Sequence, residues 1–276
     1  MTCAAFKSFQ EAFMQKFPKV FTLMGAILAL AFCLASCKSN VDDPTETQGV
    51  TYIGTKAPSE AKTVGDIVFS DGSATAYTSE LTLTEEQKSK AVAVIFYAGS
   101  TSDTLGAKTL GVGLKNTGTD STLAWAMNPD TDITTIQCTP VGEYAATATF
   151  SGDTDGSNNW QVLCNAVNDE DTSGNYPAWE WVNAYATTTA NLTGDYVSGW
   201  YLPTVAELSM LYRVKDTVNA ALEAAGGTKI ADATYWSSSQ YASDDSGAWF
   251  VWFDDGYLNV KSKTFDDSSV CTVRAF

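Results

Sequence analysis

The stretch of sequence that decides the carboxyl-terminal fold is AWFVWFDDGYLNVK, which occupies positions 248–261. Two runs rich in aromatic and β-branched residues, 248–253 and 257–261, flank the tripeptide Asp254-Asp255-Gly256. Acidic residues followed by glycine are typical of the tight turn between two antiparallel strands. Residues 248–261 are therefore expected to form a β-hairpin.

Alternation of side chains divides this hairpin into two faces, because successive residues of a strand point to opposite sides. Leu258 and Val260 share one face, which is expected to pack on the core. We predict that the other face contacts a ligand, because exposed aromatic side chains anchor interfaces. Its members are Phe250, Trp252, Tyr257, Asn259 and Lys261. The alternative interpretation is that these aromatic rings belong to the core.

Capping boxes mark two helix starts outside the hairpin. Thr84 with Gln87 predicts a helix that begins at residue 85, and Thr204 with Glu207 predicts one over 205–213. Further helices are predicted at 178–185 and 217–225, and short apolar strands at 66–69, 92–97 and 110–114. Short helices combined with small antiparallel sheets predict an α+β fold.

The composition restricts the chemistry of the chain. Its 276 residues include no histidine, so a Ser-His-Asp triad and a His-ligated zinc site are excluded. The net charge of −16 opposes binding to nucleic acid. Gly111-Val112-Gly113 lacks the other residues of a phosphate-binding loop. We therefore expect no enzymatic activity, assign no catalytic or metal-binding residue, and expect no cofactor and no nucleic-acid partner.

The pattern of the amino-terminal residues is typical of an export signal. Three lysines at positions 7, 16 and 19 precede an apolar stretch over 20–32 and the tetrapeptide Leu34-Ala35-Ser36-Cys37. The tetrapeptide resembles the lipobox of bacterial lipoproteins, which implies that residues 1–36 are a signal peptide and that Cys37 is lipidated. A transmembrane anchor or an ordinary signal peptide is the alternative interpretation.

Several features after Cys37 bear on localisation. Lys38 and Ser39 follow the cysteine, and by the same resemblance the absence of Asp there implies the outer membrane or cell surface. Residues 37–63 are polar and rich in Ser, Thr and Pro, which predicts a flexible tether. Removing residues 1–36, which hold three Lys and one Glu, leaves 13 basic and 31 acidic residues and a net charge of about −18. Contact with the membrane is therefore expected through the lipid anchor only.

Three cysteines, Cys138, Cys164 and Cys271, lie in the part of the chain that is expected to fold. The odd number permits one disulfide with one free thiol, or three reduced thiols, and the pairing stays open. Their spacing matches no zinc site.

Ordered motifs in residues 156–276 carry a resemblance to a known family. They are Trp200-Tyr201-Leu202-Pro203-Thr204-Val205-Ala206-Glu207-Leu208, Tyr235-Trp236-Ser237-Ser238-Ser239, Ala248-Trp249 with Phe253 and Gly256, and Val273-Arg274. The set resembles bacterial domains with a C-type-lectin-type fold, which are related to formylglycine-generating enzymes. Together with the lipobox, it also resembles the variable lipoproteins of Treponema, whose carboxyl-terminal segment is diversified by a retroelement.

This resemblance implies a domain organisation. Residues 64–150 would form an amino-terminal α/β region packed on, or continuous with, a lectin-fold domain at 151–276. The diversified, ligand-binding segment would cover about 235–276, while Trp200, Leu202, Trp236, Trp249 and Phe253 would pack in the core. Loops on such a scaffold vary without disturbing the core. The implied ligand-binding set therefore also includes Tyr241, Ala242, Asp244, Asp245, Asp254, Thr264, Phe265 and Asp266.

The function implied by the resemblance is the binding of a variable macromolecule, with protein favoured, on host or neighbouring cells. An enzyme like the formylglycine-generating enzymes is one alternative. Those enzymes use two closely placed cysteines near the carboxyl terminus, whereas this sequence has only Cys271 there. A structural surface lipoprotein without a specific ligand is the other alternative.

Overall fold

A five-stranded antiparallel sheet joins strands from both halves of the chain in a computed structural model, which describes residues 51–128, 132–167 and 172–276. The predicted signal peptide, the lipidation site Cys37 and residues 37–50 of the predicted tether lie outside the described residues. The five strands are β1 (Asp66–Phe69), β2 (Ala74–Ala76), β3 (Ala91–Ala98), β4 (Thr109–Gly113) and β10 (Val273–Ala275), in the order β10-β4-β3-β1-β2.

Strand β3 forms the centre of this sheet and confirms the strand predicted at 92–97. Its apolar run is continuous because both faces of the sheet are covered. Val94 and Phe96 point into one hydrophobic cluster, whereas Ala93 and Ile95 point into another. All four side chains are buried.

Five short helices within the described residues complete the α+β fold. They are α1 (Glu85–Lys90), α2 (Asn159–Ala166), α3 (Pro177–Ala184), α4 (Val205–Arg213) and α5 (Lys215–Ala224). Short 3₁₀ turns lie at Thr134–Ile136, Gly156–Asn158 and Gly194–Val197, and a π-helical turn follows α3 at Tyr185–Thr189. Both predicted capping boxes are present at the starts of α1 and α4. No helix of the described ranges is both long and apolar enough to cross a membrane.

In the part of the chain that the structure describes, two smaller antiparallel sheets adjoin the large one. The first pairs β5 (Cys138–Val141) with β6 (Thr149–Gly152). The second has the order β7 (Thr234–Gln240), β8 (Gly247–Trp252) and β9 (Leu258–Ser262). Helix α4 packs against β3, β5, β7 and β8, and so connects all three sheets. This central position explains why seven of its nine residues, Val205 to Leu211, are buried.

The amino-terminal part of the folded region differs from the predicted tether. Residues 51–63 were expected to be flexible, yet Lys56 exchanges backbone hydrogen bonds of 2.8 and 3.1 Å with Ala74. The Lys56 ammonium also forms an ion pair of 2.6 Å with the buried Asp66 carboxylate. Composition could not predict this attachment, because it depends on individual polar contacts rather than on apolar burial.

The predicted boundary near residue 150 does not separate two folding units. The described residues from Tyr52 to Phe276 cluster as one compact unit. Strand β10 pairs with β4, with Val273 opposite Val112, so the end of the chain completes the sheet of the amino-terminal region. Residues from both predicted regions therefore share one sheet.

Candidate functional site

The β8–β9 hairpin has the register that the sequence alternation requires. Val251 lies opposite Leu258, and Phe250 lies opposite Asn259. Paired residues of an antiparallel ladder project from the same face. Val251 and Leu258 are buried in the main core, where Phe253 packs edge-on against Tyr235 at 5.0 Å. One face of the hairpin is thus part of the core.

Phe250 corrects the prediction for the second face. Its side chain is only 7% exposed, because a second hydrophobic cluster that includes Trp125, Trp179 and Trp236 covers this end of the face. The Phe250 and Trp236 ring centroids are 6.4 Å apart, and the Lys261 ammonium lies 4.7 Å from the Phe250 ring. Phe250 is therefore a core residue and does not belong to an exposed binding surface.

The open end of the same face lies at the hairpin turn. Trp252 is 45% exposed, Asp254 and Asn259 are exposed, and Tyr257 is half-buried. The Trp252 backbone N–H donates to the Tyr257 carbonyl oxygen at 2.9 Å, which holds the two residues side by side. These four predicted site residues are therefore brought together.

Tyr144 joins this group although no sequence pattern singles it out. Its ring is 45% exposed and lies 5.7 Å from the Tyr257 ring. The segment is held by hydrogen bonds from Leu258 N–H to the Glu143 carbonyl at 2.8 Å and from Ala145 N–H to the Gly256 carbonyl at 2.7 Å. Only the tertiary structure places residue 144 beside residue 257.

The remaining predicted site residues form a separate group at the other end of the hairpin. Strand β8 has six residues, so its two ends lie roughly 17 Å apart. Tyr241 packs edge-on against Trp249 at 5.6 Å, which leaves the predicted core residue Trp249 half-buried. The other members of this end group are exposed: Ala242, Asp244, Asp245, Thr264, Phe265 and Asp266. The predicted ligand-binding set therefore includes residues of two separate surfaces, one at each end of the hairpin.

Lys261 lies between these groups and is committed to internal contacts. Its ammonium forms an ion pair with Asp267 and lies 5.0 Å from the Trp236 ring as well as beside Phe250. The side chain is 12% exposed, and burial lowers the pKa of its ammonium. Lys261 therefore fastens the 264–267 loop to the sheet rather than presenting a free cation.

A buried polar network that no sequence pattern indicates supports the loops at residues 241–246 and 264–267, here called the loop end of the hairpin. The Lys263 ammonium donates to Gln240 Oε1 at 2.9 Å and lies 4.6 Å from the Trp125 ring. Gln240 Nε2 donates to Asp132 Oδ1 at 2.8 Å. Burial lowers the pKa of Lys263 to about 8, although the neighbouring Asp245 carboxylate opposes this shift.

Glu207, which forms the predicted capping box with Thr204, is the most deeply buried carboxyl group among the described residues of 156–276. Its Oε2 accepts hydrogen bonds from the backbone N–H groups of Thr204 at 2.8 Å and Gly156 at 3.2 Å, and its Oε1 accepts one from the Tyr201 hydroxyl at 2.8 Å. Desolvation nevertheless raises its pKa to about 7. Glu207 thus links Tyr201 of the same motif, Trp200 to Leu208, to the distant Gly156 within the buried interior. Trp200 and Leu202 are buried as predicted.

Cys138 and Cys271 show no sign of nucleophilic activation. Cys138 and Cys271 are buried free thiols, so neither pairs with the other or with Cys164. Burial raises the pKa of both thiols to about 12, whereas a reactive cysteine needs a lowered pKa. Across the described ranges, no group of three or more Cys, Asp or Glu side chains could hold a metal ion.

Comparisons with known proteins bear on the fold. No protein-family model and no curated protein matches the chain. Among solved structures, it is similar to a fimbrial protein from Bacteroides ovatus ATCC 8483, with a TM-score of 0.50 and 14% sequence identity. The similarity covers 78% of this chain and 49% of the other, so the chain spans about half the length of the fimbrial protein. At this identity the likeness concerns the fold alone.

Proposed function

We propose that this chain is a lipid-anchored protein of the bacterial surface that binds a macromolecular ligand, with protein favoured, through its carboxyl-terminal segment. The proposed fold is of the C-type-lectin type, and the proposed binding segment is the one diversified by a retroelement. The observation that carries the proposal is the separation of roles within residues 247–262. Val251, Leu258 and Phe250 are buried, while Trp252 and Asn259 of the same hairpin are exposed.

The division between buried and exposed residues suits a surface whose amino acids differ between copies of the protein. Exposed residues away from special features usually alter stability by about 0.5 kcal/mol or less when substituted, whereas loss of a core aromatic costs about 3–5 kcal/mol. Exposed aromatic side chains on a rigid element also supply the anchors that protein interfaces need. The hairpin-turn end and the loop end are thus two surfaces that can vary independently of the core.

Localisation at the outer surface rests on the amino terminus. The basic, apolar and small-residue order that ends at Cys37 supports export and acylation, and the acidic composition suits display at a surface rather than contact with nucleic acid. The raised pKa values of Cys138 and Cys271 support binding in preference to chemistry of the formylglycine-generating type.

The neighbouring DNA tests the proposal. We expect a reverse transcriptase gene and a near-copy of the coding sequence for residues 235–276 that differs mainly at adenines. Codons that differ should encode the exposed Trp252, Asn259 and Phe265 rather than the buried Phe250 and Phe253. Absence of the copy and the reverse transcriptase gene, or variation concentrated at the buried positions, would contradict the proposal.

A second candidate is a structural subunit of a surface filament, because the fold is similar to that of a fimbrial protein. Sedimentation of the purified chain distinguishes the two candidates. A filament subunit should form concentration-dependent polymers, whereas a displayed binding protein should remain as small, defined species.

A further inference from the structure

Three aromatic side chains form one surface at the hairpin-turn end, here called the aromatic patch: Tyr144, Trp252 and Tyr257. The Tyr144 and Tyr257 rings lie 5.7 Å apart, and the Trp252 and Tyr257 backbones are joined by a hydrogen bond of 2.9 Å. Both Tyr144 and Trp252 expose almost half of their surface. The patch is thus fixed to two backbone segments, while the Tyr144 and Trp252 side chains are open to solvent.

The charged groups nearest the patch in the chain are acidic and point outward. Glu143 precedes Tyr144, and Asp254 and Asp255 form the turn between Trp252 and Tyr257. All three residues are exposed. The Asp255 carboxylate accepts a hydrogen bond of 2.9 Å from the Tyr257 N–H, which fixes one negative charge directly beside the patch. The rim of the patch is therefore negative.

The basic side chains of the same region are occupied by internal acceptors. Arg213 donates to two backbone carbonyl oxygens, at 2.9 and 2.7 Å. Lys215 forms an ion pair of 2.8 Å with Asp232. Lys261 pairs with Asp267 and stacks over two rings. Lys215 and Lys261 are each paired with a carboxylate, and the single charge of Arg213, whose acceptors here are neutral carbonyl groups, is outnumbered by the three carboxylates of the rim.

We infer that the aromatic patch of this copy binds a basic, arginine-rich segment of a partner protein, an inference that deepens the proposed function and rests on it. A guanidinium stacks on the faces of tryptophan and tyrosine rings and pairs with carboxylates in a planar geometry, so one side chain engages both features of the patch. An acidic partner or an anionic lipid surface would be repelled by the rim. Lysine supplies the charge without the planar stacking group, so arginine is the better match.

A binding titration with peptides of defined charge tests the inference. The full chain is titrated against a labelled oligoarginine peptide and against oligolysine and oligoglutamate peptides of the same length, and fluorescence anisotropy gives the Kd. We expect the order arginine, then lysine, with no binding of glutamate. Raising NaCl from about 50 to about 300 mM should weaken binding because it screens the charges.

Substitutions locate the binding. Trp252→Ala should weaken oligoarginine binding by about fivefold, the size of an exposed cation–π contact. The double change Asp254→Asn with Asp255→Asn should weaken it at least as much, while the amide oxygen introduced at position 255 keeps an acceptor for the Tyr257 N–H. The matched control is Glu80→Gln with Glu86→Gln, which removes the same charge from exposed positions in the amino-terminal region.

Two outcomes would overturn the inference. Equal weakening by the control pair would show that the peptide responds only to net charge, and equal affinity for oligoglutamate would show that charge complementarity is irrelevant. The DNA comparison tests the proposed function separately. If exposed codons are diversified but either of these outcomes is observed, the proposed function stands and only the basic partner is rejected. The weakening expected for Trp252→Ala is measured on a protein whose unfolding transition matches that of the unmodified chain.

Discussion

The Trp236 and Phe250 rings meet edge to face, with centroids 6.4 Å apart and planes inclined by 87°, beneath the ammonium group of Lys261. Both rings come from the face of the hairpin sheet that also carries the exposed Trp252. The same face of this sheet is therefore buried in the core around Phe250 and exposed to solvent around Trp252. The stability of the hairpin and its capacity to bind depend on different residues of that face.

Substitution of Phe250 tests this division directly. We expect Phe250→Ala to lower the free energy of unfolding by about 3–5 kcal/mol, because it leaves a cavity among the tryptophan rings. Asn259→Ala, at the position opposite Phe250 in the ladder, should cost about 0.5 kcal/mol or less because Asn259 is exposed. Denaturant unfolding of both variants measures the difference. Similar costs for the two variants would mean that Phe250 is not a core residue.

Local signals predicted much of the fold from the sequence. The apolar run of β3, the turn after Asp254 and the capping boxes at Thr84 and Thr204 each depend on neighbouring residues only. Their elements therefore occur within a few residues of the predicted positions. The β5–β6 pair escaped prediction because residues 138–152 are mostly small, and only Val141, Tyr144 and Phe150 carry large apolar side chains, which is a weak strand signal.

The binding surface was harder to predict because exposure depends on distant segments. Alternation assigned Phe250 to the correct face, but the residues that cover it, Trp125 and Trp179, lie more than 70 positions earlier in the chain. The same reason explains Tyr144, which reaches Tyr257 only through tertiary contacts. A periodic pattern identifies which side chains share a face, and packing decides which of them face solvent.

Glu207 should make stability depend on pH. Its pKa is raised to about 7 in the folded protein from an ordinary value of 4.5, so folding favours the protonated form. The stabilising contribution is complete below about pH 4.5 and is lost as the pH rises through about 7, on the order of 1 kcal/mol per pH unit. Glu207→Gln, which retains a capping-box residue, should remove this slope in denaturant unfolding at several pH values.

The exposed Glu86 provides the control for that measurement. Glu86→Gln changes the net charge by the same amount, so it should leave the pH dependence between 4.5 and 7 close to that of the unmodified chain. A Glu207→Gln protein that keeps the full slope would mean that this carboxyl is ionised in the folded protein at all these pH values.

The thiols of Cys138 and Cys271 should resist modification until the protein unfolds. Cys138 and Cys271 are buried and their pKa values are raised to about 12, so almost no thiolate forms near neutral pH. Alkylation at pH 8, followed by mass analysis of the peptides that carry them, should show labelling only in denaturant. Thr264→Cys supplies an exposed thiol as a positive control. Rapid labelling of Cys271 in the folded protein would reopen a catalytic role.

Anchoring should depend on Cys37. We expect Cys37→Ala to abolish acylation and to move the protein from the membrane fraction to the soluble fraction, because nothing but the lipid is proposed to hold it there. Metabolic labelling with a fatty acid and fractionation measure both effects. Ser39→Ala, two positions away, should leave acylation unchanged. A Cys37→Ala protein that remains acylated would rule out the proposed lipobox.

The ion pair between Lys261 and Asp267 should order the loop that carries Phe265 without contributing much to global stability. Asp267 is largely exposed, and ion pairs with an exposed partner usually contribute about 1 kcal/mol or less. The Lys261 ammonium retains its two aromatic neighbours when the carboxylate is removed, so Asp267→Asn should lower the Tm by only a few degrees. Amide hydrogen exchange of residues 264–268 should nevertheless become faster, because the loop loses its charged attachment to the sheet. Asp266→Asn removes the same charge from the neighbouring exposed residue and should change exchange little. Equal acceleration in both variants would show that net charge, rather than the contact with Lys261, controls the loop.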